Sequence, residues 1–376
     1  MIPPKIFFHE LVNNGVKKFS GVPDSLLKYF CAYLSDFSEE GNHIITANEG
    51  SAIGLAAGQY AISGDPSLVY MQNSGFGNAL NPLLSLADPI VYGIPMIVMI
   101  GWRGEPGAED EPQHLKQGAK MESILAACEI PYYILDPNEQ NIPRFISKLI
   151  NHAKTSNCPV AILVRQNTFS PYESRAKAPE ISVISREDAI EEVLNFSDEK
   201  DIFVSTTGMP SRELFEIREK KEEKHNKDFL TVGSMGHASM IALGLSQTFK
   251  SGRVFCLDGD GASLMHLGNL TTIGQSKSDN LVHVVLNNAA HDSVGGQPTC
   301  ANEISLKNIA KACGYKTAIS ISKLESIGSE IKKLRNSAGP HFLEIKIKKG
   351  ARFDLGRPTL SPSANLDNLM QFLELQ

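Results

Sequence analysis

The stretch that decides the fold is "LDGDGASLMHLGNLTTIGQSKSDNLVHVVLNNAAHD", from Leu257 to Asp292. A hydrophobic strand ends there in Gly-Asp-Gly around Asp260, and a second hydrophobic strand ends in Asn-Asn at Asn288. The spacing of 28 residues between Asp260 and Asn288 leaves room for one helix and one strand. Because parallel strands end at the same edge of a sheet, this spacing predicts that the two side chains lie together.

The chemistry of these two side chains predicts a magnesium-bound diphosphate. A carboxylate and an amide oxygen are the hard ligands that Mg²⁺ prefers, and Mg²⁺ commonly takes phosphate oxygens in its remaining positions. The glycines beside Asp260 let a ligand approach the backbone, and a following helix start offers free N–H groups. A Gly-Asp-Gly triplet alone is common in turns, but its combination with strand-Asn-Asn favours a binding site over a coincidence.

Short β-branched runs alternate with helical patterns along the whole chain, which indicates parallel sheets buried on both faces. The stretch Asn167–Glu187 has no period and is rich in Ser, Pro and charge, so we interpret it as an interdomain linker. We therefore predict an α/β protein with two doubly wound parallel-sheet domains, residues 1–180 and 181–376, and no central third domain. Ligands bind beyond the carboxyl ends of such strands, a rule that singles out Glu49, Asn73, Thr206, Thr207, Ser234, Asp260 and Asn288.

Composition limits the classes of function. The chain has 376 residues, is 42% hydrophobic and 21% charged, and carries a net charge of −6, which disfavours nucleic acid as the main partner. Its six cysteines form no C-x-x-C pair, so we expect reduced core residues of a cytoplasmic protein. No signal peptide or membrane span is indicated. We expect the charge run Arg218–Asp228 to be a solvated helix end and loop.

Two segments resemble those of thiamine diphosphate enzymes. "ITANEGSAIGLAAGQYA" (Ile45–Ala61) resembles their pyrimidine-binding segment, which implies that Glu49 hydrogen-bonds the cofactor's pyrimidine nitrogen and activates it. "TVGSMGHASMIALGLS" (Thr231–Ser246) resembles a segment of their second domain. It implies that the Gly233 carbonyl receives the cofactor's 4′-amino group and that Met235 holds the cofactor bent. Taken singly, Glu49 would be a helix cap and Met235 an ordinary core residue.

Further segments are similar to the phosphonopyruvate and sulfopyruvate decarboxylase group of that family, which also lacks a central domain. The resemblance covers nearly the whole chain, and Ala289 stands where a glycine is usual. It implies decarboxylation of 3-phosphonopyruvate to phosphonoacetaldehyde and CO₂ through a thiamine diphosphate ylid, in phosphonate biosynthesis. It also implies Mg²⁺ and a homodimer or larger homo-oligomer with active sites at subunit interfaces. The segments are "GVPDSLLKYF" (Gly21–Phe30), "GEPGAEDEPQHLKQG" (Gly104–Gly118), "STTGMPSREL" (Ser205–Leu214), "NNAAHDSVGGQPT" (Asn287–Thr299) and "DLGRPTLSP" (Asp354–Pro362).

The resemblance and the strand-end rule together give a set of candidate site residues. The expected catalytic residues are Glu49, His114, His291 and Asp292. The expected cofactor-binding residues are Glu49, Asn73, Thr206, Thr207, Gly233, Met235, Gly259, Asp260, Gly261, Ala262, Ser263 and Asn288. The expected metal ligands are Asp260, Asn288 and the backbone carbonyl of Ala290. For the anionic substrate we favour Ser25 and Lys116 over the other candidates, which are Lys28, Arg103, Arg352 and Arg357.

Three alternative functions remain open on sequence alone. A sulfopyruvate decarboxylase shares the chemistry and differs in the substrate's anionic group. An acetolactate-synthase-like carboligase usually has an additional central domain. A non-catalytic nucleotide-binding module would be expected to show G-x-G-x-x-G after the first strand or a G-x-x-x-x-G-K-[ST] loop, and the chain has neither.

Overall fold

The computed structural model describes residues 1–175 and 180–374, and the chain divides into two compact units, Met1–Ala178 and Pro179–Gln376. Each unit contains its own six-stranded parallel sheet. Part of the predicted linker, residues 176–179, lies outside the described residues. Within the described ranges, no helix is both long and apolar enough to span a bilayer.

The first unit alternates strands and helices. Its strands are β1 Phe19–Gly21, β2 His43–Ile45, β3 Ser67–Gln72, β4 Met96–Gly101, β5 Tyr132–Leu135 and β6 Pro159–Val164. Its α-helices are α1 Pro4–Asn13, α2 Lys28–Phe37, α3 Glu49–Ser63, α4 Phe76–Pro82, α5 Pro112–Ala127 and α6 Ile142–Ser156. The strand order is β2-β1-β3-β4-β6-β5, and all neighbours run parallel.

Helices cover both faces of this first sheet. Apolar residues of α1, α2 and α6 pack on one face, and those of α3, α4 and α5 pack on the other. Strands β4 and β6 are buried at every residue, which explains their continuous apolar sequences. Helix α3 begins at Glu49 because the side chain of Asn48 accepts a hydrogen bond from the Gly50 amide at 2.8 Å.

The second unit repeats this plan. Its strands are β7 Ile202–Ser205, β8 Asp228–Leu230, β9 Val254–Gly259, β10 Leu281–Asn287, β11 Ala290–His291, β12 Gln297–Pro298, β13 Thr317–Ile321 and β14 His341–Lys346. Its α-helices are α7 Arg186–Asn195, α8 Met209–Lys220, α9 Ala238–Thr248, α10 Asp260–Met265, α11 Asn269–Ser276, α12 Leu306–Cys313, α13 Leu324–Arg335 and α14 Pro362–Glu374. The large sheet has the order β13-β14-β10-β9-β7-β8, and β11 and β12 form a separate antiparallel pair.

The second sheet is also covered on both faces, by α7, α8 and α13 on one side and by α9, α11, α12 and α14 on the other. Strands β9 and β10 are neighbours in its centre, with Gly259 opposite Leu286. The prediction of two doubly wound α/β units is confirmed. The strand β1 and the ribbon of β11 and β12 were not predicted, because they are too short to show a period.

Two expectations about solvent exposure in the second unit are wrong. Arg218 is only 2% exposed, because its guanidinium pairs with the buried Asp228 carboxylate at 2.9 Å. The charge run therefore contains a buried ion pair and is not simply a solvated segment. Cys300 is exposed, whereas Cys31, Cys158 and Cys256 are buried as expected.

Candidate active site

Asp260 and Asn288 meet at the carboxyl ends of two adjacent strands. Asp260 follows β9 and opens α10, and Asn288 follows β10. Both residues are 3% exposed, and the backbone amide of Asn288 is among the groups that lower the pKa of the Asp260 carboxyl. The juxtaposition expected from their spacing is therefore present in the fold.

The Asp260 carboxyl is buried among neutral partners. Burial raises the pKa of Asp260 to about 6, although hydrogen bonds from the Thr299 hydroxyl and from the backbone amides of Asn288 and Gly261 oppose this shift. A buried carboxylate surrounded by neutral groups requires a positive charge to offset its lost hydration. The donor set of this site thus fits a divalent cation with oxygen ligands.

The Asn288 side chain is held at both ends. Its Oδ1 accepts a hydrogen bond from the Ala290 amide at 3.0 Å, and its Nδ2 donates to Asp292 Oδ2 at 2.6 Å. The same Asp292 oxygen accepts from the Gly350 amide at 2.9 Å and lies 3.4 Å from Arg186 Nη1. The Gly350 amide and Arg186 therefore hold the Asp292 carboxylate in place, and Asp292 in turn holds the Asn288 side chain.

Arg186 links this arrangement to a buried ion pair. Its Nε lies 2.7 Å from Glu213 Oε2, and the side chains are 6% and 2% exposed. The burial of both charges requires that each be paired. Arg186 is therefore a rigid anchor for Asp292.

The backbone between the two asparagines and the ribbon is unusual at Ala289. Its φ of 55° lies in the left-handed region, which glycine adopts more readily than alanine. The turn is supported by Asn287, whose Oδ1 accepts the Ala289 amide at 2.9 Å and whose Nδ2 donates to Glu344 at 2.7 Å. The left-handed φ at Ala289 explains why a glycine would be favoured at this position.

Met235, Gly261 and His291 form one contact group. A Cβ atom added at Gly261 would lie 3.1 Å from His291 Nδ1 and 3.4 Å from Met235 Cε. A side chain at this position would press against the His291 ring, so glycine eases this close approach. Burial lowers the pKa of His291 to about 4, although the neighbouring Asp292 opposes the shift, so the imidazole is neutral at neutral pH.

The other predicted cofactor residues of the second unit lie at or just after the ends of β7, β8 and β9, or in α10. Thr206 is buried, and its amide donates to the Leu257 carbonyl at 2.8 Å. The Thr207 hydroxyl donates to the Val232 carbonyl at 2.8 Å, next to Gly233 in the loop after β8. Gly259 ends β9, and Ala262 and Ser263 are buried in α10, where the Ser263 hydroxyl donates to Asp258 at 3.0 Å.

Glu49 lies in the first unit as a buried carboxyl at the start of α3. It is 3% exposed, and its Oε2 accepts a hydrogen bond from Asn78 Nδ2 at 2.8 Å. Burial raises the pKa of Glu49, and the Asn78 hydrogen bond opposes that rise. A Cβ atom added at Gly75 would lie 2.0 Å from Glu49 Oε1, so the chain of Gly75 passes directly against the carboxyl group.

Asn73 also lies at a strand end of the first unit, but its side chain has a structural partner. Its Nδ2 donates to the Arg103 carbonyl at 2.7 Å, and its Oδ1 lies 3.3 Å from the Arg103 amide. These hydrogen bonds connect the ends of β3 and β4.

A cavity of about 360 Å³ lies in the first unit, and its lining includes Ser25, Lys28 and Arg103. Arg103 Nη1 donates to Ser25 Oγ at 2.9 Å, and Arg103 Nε donates to Asp110 Oδ2 at 2.8 Å. Lys116 is an exposed residue of α5. The cavity therefore brings together Ser25 and Arg103, of which only Ser25 was a favoured candidate.

Two further predicted residues have defined surroundings. His114 lies on α5, and its Nδ1 is buried with no hydrogen-bond partner among the described residues. Burial and, to a smaller extent, Arg103 lower the pKa of His114. Arg352, a candidate for the substrate, pairs instead with Glu187 at 2.8 Å and Asp354 at 3.1 Å.

Sequence reasoning missed several residues of these two clusters. Thr299 touches Asp260, Asn78 touches Glu49, and Arg186 touches Asp292. Asn78 and Arg186 have no recognisable sequence signal, because their contacts depend on side chains distant in sequence. Thr299 lies within the quoted "NNAAHDSVGGQPT", so its position there was the available signal.

The two units and their clusters match a known class of enzyme. Residues 4–123 match the family described as "Thiamine pyrophosphate enzyme, N-terminal TPP binding domain". Residues 207–345 match "Thiamine pyrophosphate enzyme, C-terminal TPP binding domain". The class defined by the fold and site is therefore that of the thiamine diphosphate-binding enzymes.

Whole-chain relatives define the family more closely. A phosphonopyruvate decarboxylase of Streptomyces viridochromogenes is 30% identical over 94% of this chain and 90% of its own length. A sulfopyruvate decarboxylase of Methanosarcina acetivorans is 30% identical over 83% of this chain and 84% of its own length. A sulfopyruvate decarboxylase subunit beta of Methanocaldococcus jannaschii is 38% identical over 40% of this chain and 77% of its own length. The chain belongs to the thiamine diphosphate-dependent decarboxylase family that includes these phosphonopyruvate and sulfopyruvate enzymes.

Proposed function

We propose that the protein catalyses the decarboxylation of 3-phosphonopyruvate to phosphonoacetaldehyde and CO₂ in phosphonate biosynthesis. The observation that carries the proposal is the buried Asp260 carboxylate beside Asn288 at two adjacent strand ends, in a chain that resembles phosphonopyruvate decarboxylases over 94% of its length. The substrate assignment comes from those relatives.

Mg²⁺ is the proposed metal, with Asp260, Asn288 and the Ala290 carbonyl as its protein ligands. The charge of Mg²⁺ would offset the negative charge of the buried Asp260 carboxylate. The fixed carboxamide of Asn288 would offer its oxygen as a second ligand. Asp292 is proposed as a positioning residue, because its carboxylate holds Asn288 Nδ2 and is itself anchored by Arg186.

Thiamine diphosphate, when bound, supplies the carbon nucleophile and the electron sink that 2-keto acid decarboxylation requires. The chain's own contribution begins at Glu49. Burial favours the protonated form of this carboxyl, and Asn78 fixes its Oε2. Glu49 is therefore suited to hold a proton for the pyrimidine nitrogen of the cofactor.

The contacts of the remaining predicted cofactor residues support positioning roles. Met235 lies against Gly261 as a bulky apolar support, and Gly233 follows Val232, which the Thr207 hydroxyl ties down. Asn73 and Thr206 stabilise the strand ends that would surround the cofactor.

We propose His291 and His114 as groups that transfer or orient protons near the reacting carbons. His291 is neutral at neutral pH and lies against Gly261. The buried Nδ1 of His114 has no partner among the described residues and is thus able to hydrogen-bond a ligand. Ser25 and Arg103 offer a hydroxyl and a cation to the substrate's anionic groups, whereas the exposure of Lys116 makes it the weaker candidate.

The test is steady-state turnover of 3-phosphonopyruvate, sulfopyruvate and pyruvate, measured side by side with thiamine diphosphate and Mg²⁺. We expect the highest kcat/KM for 3-phosphonopyruvate and loss of activity when a chelator removes the metal. A preference for sulfopyruvate would keep the mechanism and overturn the substrate. Absence of turnover with all three acids would overturn the decarboxylase assignment.

We also propose that the protein works as a homodimer or larger homo-oligomer with active sites at subunit interfaces. The support is the family resemblance. Sedimentation measures the mass of the assembly, and mixing inactive Glu49→Gln and Asp260→Ala chains tests whether subunits share a site. Regained activity in the mixture is expected, and a monomeric active enzyme would contradict the proposal.

A further inference from the structure

Gln297 is a buried polar side chain without a hydrogen-bond partner in the part of the chain that the structure describes. It is 5% exposed, and neither Nε2 nor Oε1 has a hydrogen-bond partner among the described residues. An amide buried in this way loses the hydrogen bonds that it made to water and regains none, which is unfavourable. Buried side-chain amides are normally satisfied, so this exception requires an explanation.

The ribbon of β11 and β12 determines which way Gln297 faces. Gln297 lies directly opposite His291 in the antiparallel pair, and residues opposite each other in such a pair project from the same face. The pairing continues beyond the ribbon, because the Thr299 amide donates to the Ala289 carbonyl at 3.0 Å. Gln297 and Thr299 are buried while Pro298 between them is exposed, as the alternation of an extended strand requires.

The residues that share this face point to one part of the proposed site. Thr299 donates to the Asp260 carboxylate, and His291 lies against Gly261. Asp260 is the proposed metal ligand, and Gly261 is the next residue on the same turn. The carboxamide of Gln297 thus faces the end of the site where a metal-bound diphosphate would lie.

We propose that Gln297 binds the diphosphate of the cofactor, to which its Nε2 would offer a donor and its Oε1 an acceptor for the groups bound there. This inference rests on the proposed function and adds a ligand-binding residue to the same site. An amide is suited to this position because it offers a donor without a charge of its own. The bound ligand would satisfy both atoms that the free protein leaves unpaired.

The test compares Gln297→Leu with wild type in two measurements that do not use turnover. Leucine has a similar size and no polar atom, so it removes the unpaired amide from the cofactor-free protein. We expect the Tm of the cofactor-free variant to be higher by roughly 2–4 °C. We expect its Kd for thiamine diphosphate with Mg²⁺, measured by calorimetry, to be weaker by about tenfold.

Pyrophosphate with Mg²⁺ is the second probe, because it contains the diphosphate without the rings. Its Kd should weaken by a similar factor in Gln297→Leu. Gln297→Glu should weaken both ligands further, because it places a carboxylate against the diphosphate. Gln371→Leu, an exposed substitution on α14, is the matched control and should change neither Tm nor Kd.

The outcomes separate this inference from the proposed function. If wild type fails to bind thiamine diphosphate with Mg²⁺, the proposed function is overturned. If wild type binds and Gln297→Leu binds equally well, only the role of Gln297 is overturned. A variant that binds pyrophosphate normally but thiamine diphosphate weakly would also overturn the assignment, because the contact would then lie at the rings. A lower Tm of the cofactor-free Gln297→Leu protein would contradict the premise that the Gln297 amide makes no stabilising hydrogen bond in the absence of cofactor.

Discussion

The carboxamide of Asn288 is hydrogen-bonded through its Nδ2 to Asp292 Oδ2 at 2.6 Å. The two residues are four positions apart, on either side of the left-handed turn at Ala289. Asp292 is in turn fixed by the Gly350 amide and by the buried Arg186. The orientation of the proposed metal ligand therefore depends on side chains that are not themselves proposed as metal ligands.

Asp292→Ala should weaken the metal site. The substitution frees Asn288 Nδ2 and leaves Arg186 with its ion pair to Glu213 and its hydrogen bond to the Gly350 carbonyl. We expect the Mg²⁺ concentration for half-maximal cofactor binding to rise by roughly 10- to 100-fold, the range seen when a partner of a metal ligand is removed. Fluorescence or calorimetric titration with Mg²⁺ at fixed thiamine diphosphate measures this change.

The matched control is Asp279→Ala, because Asp279 is exposed and pairs with Lys250 only at 3.9 Å. This variant should keep the wild-type Mg²⁺ requirement. An unchanged requirement in Asp292→Ala would show that the hydrogen bond to Asn288 does not position the ligand.

Gly75→Ala should displace the Glu49 carboxyl. The new Cβ would lie 2.0 Å from Glu49 Oε1 and 2.8 Å from Glu49 Cγ, so the buried glutamate side chain has to move. A displacement of about 1 Å in a catalytic group can cost on the order of 100-fold in rate. We expect kcat to fall by roughly that factor in a turnover assay, and the free energy of unfolding to fall by roughly 1–3 kcal/mol because the new methyl group overpacks a buried site.

Gly77→Ala is the control from the same segment, since nothing lies within 4 Å of a Cβ added there. It should retain wild-type kcat. Equal kcat values for the two variants would argue against tight placement of Glu49.

Glu49→Gln should abolish most activity while the fold and cofactor binding persist. Glutamine keeps the shape and the buried position but cannot transfer the proton. We expect kcat to fall by roughly 10²- to 10⁴-fold, the usual contribution of a positioned acid or base. Glu40→Gln, an exposed substitution in the same unit, should leave kcat unchanged.

The same variant has a pH signature in stability. The pKa of Glu49 is raised by burial, so the folded state binds this proton more tightly than the unfolded chain. Its stabilising contribution is present below the ordinary glutamate pKa and is lost as pH rises through the raised value. Urea unfolding measures the free energy of unfolding across this pH range, which should fall less with rising pH in Glu49→Gln than in wild type. Identical pH profiles of the two proteins would refute the raised pKa of Glu49.

His43 should produce the opposite pH dependence in the first unit. Burial lowers its pKa from 6.5 to about 4, and its Nε2 lies 2.8 Å from the Tyr70 hydroxyl. The folded state therefore binds this proton less tightly, and the stability present above pH 6.5 is lost as pH falls toward 4. The loss should reach about 3 kcal/mol in urea unfolding, since each pKa unit corresponds to about 1.4 kcal/mol.

His43→Gln should reduce this dependence between the two pH values, because His291 and His114 have lowered pKa values as well, whereas His9→Gln, at an exposed position, should retain it in full. Equal pH dependences of the free energy of unfolding in His43→Gln and wild type would contradict the lowered pKa of His43.

Much of the fold followed from local patterns. Apolar runs such as "PMIVMIG" (Pro95–Gly101) are typical of buried strands, and β4 lies there. The alternation of such runs with helical patterns predicted two parallel sheets. The placement of Asp260 beside Asn288 also followed, because both are fixed by the ends of neighbouring strands. Short elements such as the ribbon of β11 and β12 gave no periodic signal.

The sequence by itself determined the kinds of chemical groups in the site and the strand ends that carry them, because strand periodicity and chain direction are local properties. Only the tertiary structure decided which side chains satisfy one another. Asn78 meets Glu49, and Arg186 meets Asp292, across 29 and 106 residues of chain. The tertiary structure also decided that the buried amide of Gln297 has no partner among the described residues. Burial and hydrogen bonding depend on every neighbour that the fold brings near.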